Sequence, residues 1–402
     1  MLQNNRTGRG ADNRLTQDHS QETTERTDCN QDGLTMAKKV KNQSLGKAQG
    51  AKQDEFYTQL GDISNELKHY KVQLRDKTIL CNCDDPFESN FFKYFALNFN
   101  TLGLKKLIAT SYKKSPIVGR QLQLFAIEGL KPEGKEPYAI EINEVPDQNG
   151  DGAIDIADVE YLLKHDANTA RTLKGDETYS GGDFRSRECV ELLKQSDIVI
   201  TNPPFSLFRE YLAQLITHDG HFLIIGNQNA ISYKEVFNVV IENKVWLGNK
   251  SGDMEFKVPN HYEARETRYR VDADGQKWRS MGNACWFTNL DLAKRHEEIP
   301  LYKKYTPAEY PKYCNYDAIE VSKVADIPVD YSGAMGVPIT FLDKYNPEQF
   351  VILGSSRTLS LPMSQIAPKG SYLQGGPRFY LDNGDGTYRR LYDRIVIRNK
   401  RP

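Results

Sequence analysis

Apolar β-branched runs and helically spaced apolar stripes alternate through the middle of the chain. The sharpest run is Ile198-Val199-Ile200, which ends abruptly in Thr201-Asn202-Pro203-Pro204-Phe205. Such an unbroken run suits a strand buried on both faces of a parallel sheet. Leu207, Phe208, Tyr211, Leu212, Leu215 and Ile216 follow on one helical face, so the pattern predicts a strand, a rigid loop and a helix. Upstream, Thr78 to Cys83 predicts a strand, Phe91, Phe92, Phe95, Phe99 and Leu102 a helix, and Leu107 to Ser111 a second strand. Those three elements make a βαβ unit. Further strands are expected at 121–127, 138–142, 222–226, 244–247 and 283–288, with helices through Ile63, Leu67 and Tyr70 and over 236–241, and a hairpin turn at Asp274-Gly275. The alternation specifies an α/β fold with a largely parallel sheet.

The ends of the chain differ from this middle. Residues 1–50 are rich in Asn, Gln, Asp, Thr, Arg and Lys and almost lack aromatic residues, so they read as a disordered leader, within which Met36 is a candidate biological start. Residues 51–290 hold the alternating elements, with 113–180 as an insertion. Residues 291–402 turn to proline- and tyrosine-rich sequence with a basic end and read as a separate recognition region.

Composition narrows the class. With 402 residues the chain has room for two domains, and 39% hydrophobic and 27% charged residues are those of a soluble globular protein. The formal net charge of −1 supplies no global field for a polyanion, so any nucleic-acid contact requires basic residues gathered locally. The six cysteines lack paired metal-ligand spacing and read as reduced thiols. No apolar run approaches the roughly 18 residues of a membrane span. A cytoplasmic protein is expected.

Chemistry concentrates at the predicted strand ends. In an open α/β sheet ligands sit outside the carboxyl ends of the strands, which is where Asn202 to Phe205 fall. Two prolines remove two backbone donors and leave an acceptor-rich rim beside one aromatic ring. The Asn202 side-chain oxygen and the Pro203 carbonyl suit the two hydrogens of an exocyclic amino group, with Phe205 stacking on the heterocycle. Taken alone, the tetrapeptide serves equally well as an ordinary turn. Asp84 and Asp85 close the first strand and favour a cationic ligand, although either is also a ready helix cap. Asp183 falls at another strand end. Asp147, Asn149, Asp151, Asp155 and Asp158 match a calcium-loop spacing with Gly152 at the turn, and the same residues form an Asp/Asn/Gly-rich surface turn.

The order and wording of these segments resemble a known family. Asp54-Glu55-Phe56-Tyr57-Thr58, Cys81-Asn82-Cys83-Asp84-Asp85-Pro86, Ser89-Asn90-Phe91-Phe92-Lys93-Tyr94-Phe95, Gly182-Asp183-Phe184-Arg185-Ser186, the stretch from Thr201 to Tyr211, and Met335 to Leu342 are similar to the EcoRI-type adenine-specific DNA methyltransferases. The resemblance implies a Rossmann-like class I S-adenosylmethionine-dependent sheet with a C-terminal target-recognition region. It implies methyl transfer to N6 of a flipped-out adenine in double-stranded DNA, and a cognate restriction endonuclease as an expected partner of a monomeric enzyme. Asn202, Pro203, Pro204 and Phe205 match the catalytic loop, and Phe56, Tyr57, Thr58, Asp84, Asp85, Pro86, Asp183 and Phe184 match segments that line the cofactor pocket. A departure from methyltransferases at large is the missing glycine-rich cofactor loop, replaced by Asp84-Asp85-Pro86. The competing readings are the same fold methylating RNA or a protein glutamine, and a non-catalytic DNA- or calcium-binding module.

Overall fold

The computed structural model describes residues 56–83, 86, 89–112, 137–148, 150–152, 154–165 and 170–402. The leader with Met36, the aspartates at 84 and 85, Asn149 and the strand expected at 121–127 lie outside them. The described residues belong to one compact unit.

A central mixed sheet carries the molecule. Its strands are β1 (Thr78–Cys81), β2 (Lys106–Thr110), β3 (Tyr138–Ile142), β4 (Ala170–Thr172), β5 (Ile198–Thr201), β6 (His221–Asn227), β7 (Trp246–Val258), β8 (Tyr269–Val271) and β9 (Lys277–Thr288). They lie in the order β4-β3-β2-β1-β5-β6-β9-β7, with β8 alongside β9. The four middle strands, β2, β1, β5 and β6, are parallel, and the flanking pairs β2–β3, β3–β4, β6–β9 and β7–β9 are antiparallel. The chain leaves β1 toward β2 and later builds β5 and β6 on the other side. The order therefore reverses between β1 and β5, and an open sheet of this kind leaves a ligand crevice at that reversal.

Burial explains why the middle strands are apolar throughout. Successive residues face opposite sides, so Leu80, Val199, Phe222 and Ile224 enter one core while Ile79, Cys81, Ile198, Ile200, Leu223 and Ile225 enter the other. The second core is covered by α1 (Leu60–Leu67), α2 (Asn90–Leu97) and α3 (Ile156–His165). The first is covered by α4 (Arg187–Gln195), α5 (Phe208–Thr217) and α6 (Lys234–Ile241). That first core continues without a break into a smaller sheet in the C-terminal part of the chain. The smaller sheet is built from β10 (Ile319–Glu320), β11 (Met335–Pro338) and β12 (Phe350–Ser355), with a separate hairpin of β13 (Tyr380–Asp382) and β14 (Tyr388–Arg390) before β15 (Arg394–Asn399) completes it in the order β10-β11-β15-β12. Phe237 and Val240 of α6 share one cluster with Phe341, Phe350, Ile352, Ile395 and Ile397.

Some sequence expectations shift here. Ser89 caps α2, accepting the Phe91 and Phe92 amides at 3.0 and 3.5 Å, so the capping role considered for Asp84 or Asp85 falls to a serine. The last two strands run much longer than 244–247 and 283–288. Their outer halves carry polar residues and two register irregularities, between Leu247 and Ser251 and between Gly252 and Met254, which conceal the strand period. The Asp274-Gly275 turn stands where expected, with Gly275 at φ 78° donating to Asp272 O at 3.1 Å between β8 and β9.

One buried acid ties the irregular strand to the body. Glu66 of α1 is fully buried and accepts the amides of Asn249 and Lys250, at 2.5 and 2.8 Å, and the Tyr70 hydroxyl at 3.0 Å. Burial pushes its carboxyl pKa upward against these hydrogen bonds. Glu66→Ala leaves two bulge amides unsatisfied, each costing about 1–3 kcal/mol. Its thermal midpoint is expected to fall by calorimetry, with the far-ultraviolet circular dichroism of the folded protein unchanged at low temperature.

Candidate active site

The carboxyl ends of β1, β2 and β5 meet three incoming segments. The first is 56–58, which crosses the top of the crevice and is held along its length. Phe56 O accepts from Asn202 Nδ2 at 2.5 Å, Tyr57 exchanges amide hydrogen bonds with Lys257 at 2.9 and 3.1 Å, and Thr58 O accepts from Asn90 Nδ2 at 2.7 Å. Asn202 is 8% exposed. A carbonyl on its amide nitrogen fixes the side-chain plane and defines Oδ1 as the accepting end. Pro204 spends its carbonyl on the Leu207 amide at 2.9 Å, which turns the chain into α5. Of the two proline carbonyls expected on the rim, Pro204 therefore serves the fold.

Phe205 is half-buried in an aromatic wall. Its ring stacks on Phe56 with centroids 5.3 Å apart and planes at 27°, and meets Phe256 edge-on at 6.4 Å. Phe56 in turn meets Phe256 at 5.7 Å and Tyr262 at 6.1 Å. Phe256 and Tyr262 belong to the β7 to β9 excursion, whose far end rises past the carboxyl edge beside the loop.

The second incoming segment is Gly181 to Ser186. Gly182 adopts φ 74°, and a Cβ there would collide with the Ser111 carbonyl just beyond β2, so only glycine lets this loop lie against the strand end. Asp183 is buried, and both of its oxygens are engaged by Arg185. Oδ1 accepts from Arg185 N at 3.0 Å and Nε at 2.9 Å, and Oδ2 from Nη2 at 2.8 Å. Arg185 also reaches Glu210 of α5 at 2.9 Å and lies over the Phe184 and Tyr179 rings. Phe184 packs edge-on against Tyr211 at 4.9 Å, and the Tyr211 hydroxyl donates to Asn82 Oδ1 just past β1.

The third segment follows β1, where Pro86 is buried and its aspartate neighbours lie outside the described residues. Around this point three buried polar atoms have no hydrogen-bond partner among the described residues: Thr58 Oγ1, Asn82 Nδ2 and Thr110 Oγ1. Each costs about 1–3 kcal/mol if left unmade. Asn82 follows β1, Thr110 ends β2 and Thr58 lies in the 56–58 segment, and unmet polar groups of this kind are what a crevice built for a polar ligand leaves behind.

The calcium-like loop turns its carboxylates toward its own backbone. Asp147 accepts the Gly150 amide at 2.7 Å and the Gly152 amide at 2.8 Å. Asp158 accepts those of Gln148 at 2.8 Å and Asp155 at 2.9 Å, and Asp155 accepts that of Ala157 at 2.7 Å. Asp151 is exposed, and Asn149 lies outside the described residues. Among the described residues no three His, Cys, Asp or Glu side chains form a metal-holding group. The carboxylates serve the loop's own amides and the start of α3, as the surface-turn reading of the spacing has it, and the calcium reading finds no support among the described residues.

Comparison with known proteins agrees with this geometry. A family described as "Adenine-specific methyltransferase EcoRI" matches residues 44–400. The chain belongs to this family. It is therefore an adenine-specific methyltransferase, a class that implies S-adenosylmethionine as methyl donor. The chain is 49% identical to the Type II methyltransferase M.EcoRI of Escherichia coli over 324 residues, covering 79% of this chain and 90% of that one. It is 37% identical to M.MgeORF184P of Mycoplasma genitalium over 318 residues, 77% and 85% of the two chains, and 36% identical to M.MpnI of Mycoplasma pneumoniae over 315 residues, 77% and 84%. No solved structure matches the chain.

Of the residues singled out from sequence, Phe56, Tyr57, Thr58, Pro86, Asp183, Phe184 and Asn202 to Phe205 all come to this one edge. Sequence reasoning missed Asn82, Tyr211, Phe256 and Tyr262 as site residues. Tyr211 was hidden in an apolar helix stripe, and Asn82 was quoted in a strand and in a family-like segment without a role of its own. Phe256 and Tyr262 lie in a stretch whose strand period is broken. Because the loop at 147–158 satisfies its own carboxylates, neither EDTA nor added Ca²⁺ should move the thermal midpoint of the protein, a difference measurable by scanning calorimetry.

Proposed function

We propose that the crevice between β1 and β5 transfers a methyl group from S-adenosylmethionine to N6 of an adenine flipped out of duplex DNA. The observation that carries the assignment is the Asn202 amide held by the Phe56 carbonyl beside the stacked ring of Phe205. In this reading the large sheet is a Rossmann-like class I methyltransferase sheet, with antiparallel strands added at both edges. Residues 291–402 supply target recognition, and the enzyme acts as a cytoplasmic monomer in a restriction-modification system beside an endonuclease of the same specificity.

S-adenosylmethionine, when bound, supplies an already activated sulfonium methyl. The protein's share of the chemistry is position and desolvation. Thr58, Asn82 and Thr110 offer hydrogen-bond groups to the polar parts of the cofactor at the ends of β1 and β2. The Asp183–Arg185 pair fixes the loop that closes that pocket, so Asp183 acts through loop shape, and Phe184 packs beneath it. Asn202 Oδ1 and the Pro203 carbonyl accept the two amino hydrogens of adenine, which shifts electron density toward N6 for in-line attack. Phe205, steadied by Phe56 and Phe256, offers a ring on which the extruded base stacks, worth about 1–3 kcal/mol against an unstacking cost of a few kcal/mol.

Methylation sequencing of DNA from cells expressing wild type or Asn202→Ala tests the assignment. N6-methyladenine at one short motif is expected with wild type and none with the variant, while titration calorimetry gives the variant a cofactor affinity within about threefold of wild type. Loss of cofactor binding in Asn202→Ala would contradict the role given to its side chain. Phe205→Ala should weaken capture of the target base by roughly 5- to 150-fold, the equivalent of that stacking energy, read as fluorescence of 2-aminopurine placed at the target position.

A further inference from the structure

A net charge of −1 means that a polyanion must be met by a local arrangement of cations. The C-terminal part of the chain, beside the smaller sheet, holds one. Arg357 places Nε 3.1 and 3.2 Å from the two oxygens of Asp393 and Nη2 3.0 Å from Oδ2, and Arg378 Nη1 lies 3.1 Å from Oδ1. Arg390 lies near enough to Arg378 for the two charges to repel. Its charge and that of Arg357 act on Arg378, whose pKa is held below its ordinary value first by burial and then by these two neighbours against the pull of Asp393. Arg390 Nε is itself buried and has no hydrogen-bond partner among the described residues. The nearby Glu320 offers no compensation, because Arg394 engages it at 2.7 to 3.2 Å and Tyr313 donates to it as well.

Two guanidiniums thus share one carboxylate and a third stands beside them without one, with the Arg378 side chain only 15% exposed and that of Arg357 40%. An ion cluster that serves the fold alone balances its charges, since a surplus cation withdrawn from water is a standing cost. A bound anion removes that cost, and guanidinium pairs match the oxygens of a phosphate in geometry as well as charge.

The position of the cluster selects the anion. Arg357 and Asp393 line a shallow cleft together with Ile231 and Ser232. Those two residues lie in the turn that leaves the carboxyl end of β6, and β6 is the immediate neighbour of β5, which delivers Asn202. The cluster therefore stands on the same edge of the large sheet as the catalytic loop, one strand over.

We propose that Arg357, Arg378 and Arg390, organised by Asp393, bind backbone phosphodiesters of the DNA that flanks the extruded adenine. The proposal rests on the DNA-methylation reading above. Backbone contacts carry no sequence information, so the test can use a labelled duplex of arbitrary sequence. Anisotropy titrations of wild type, Arg357→Gln, Arg390→Gln and the double variant, from 50 to 200 mM NaCl, give affinity and its salt dependence together. Each single variant should bind about tenfold more weakly at 50 mM NaCl. The slope of log K against log salt should be shallower by about 0.9 for each phosphate contact removed, with cofactor affinity unchanged. Arg378→Lys, which keeps the charge and loses the fork, should weaken binding with little change of slope. Folded Arg357→Gln and Arg390→Gln proteins with the wild-type slope would overturn the proposal and mark the cluster as part of the fold. Failure of the wild-type protein itself to bind duplex would instead overturn the DNA reading on which it rests.

Discussion

The hydrogen bond from Asn202 to the Phe56 carbonyl spans 146 residues of sequence and joins the two halves of the crevice. One partner ends β5, in the middle of the parallel sheet. The other lies far upstream in the sequence and is held at the site by the pairing of Tyr57 with Lys257 and of Thr58 with Asn90. Without that bond the amide plane of Asn202 turns about its own side-chain torsion, and a group meant to accept the hydrogens of an amine no longer has a defined accepting end. With it, the acceptor, the Phe205 ring and the segment over the cofactor crevice are set by one constraint. The aromatic wall of Phe56, Phe256 and Tyr262 extends the same constraint to the base platform.

Much of this was legible in the sequence because it depends on local signals. The β-branched run at 198–200 and its Asn-Pro-Pro-Phe ending specified a buried strand and a rigid loop, and both stand where the pattern put them. Other features depend on pairing that no local pattern carries. The β7 and β9 strands outrun their apolar cores, because their outer halves face solvent and one another rather than helices. The partnership of Tyr211 with Asn82 joins residues 129 apart, so Tyr211 looked like one more residue of an apolar stripe. At 147–158 the opposite happened. A ligand spacing was complete enough to suggest calcium, yet the same carboxylates found nearer donors in the loop's own amides.

Electrostatics are handled locally throughout. At the crevice, Arg185 neutralises Asp183 and Glu210 and shapes a loop. Beside the smaller sheet the balance tilts the other way, toward guanidinium. The two sheets share one apolar core across α6, so the site that would hold a DNA backbone and the site that would methylate a base keep a fixed separation. For an enzyme that must act at one atom of a long polymer, this rigidity converts backbone binding into alignment of the target base.

The most direct test of the account is the fate of a labelled methyl group. Purified protein is incubated with S-adenosylmethionine carrying an isotopic methyl label and with duplex DNA, RNA and bulk protein in competition, and the labelled products are hydrolysed and identified by mass spectrometry. The account predicts label in N6-methyladenine from DNA and nowhere else. Label recovered chiefly in RNA or in methylated glutamine would contradict it.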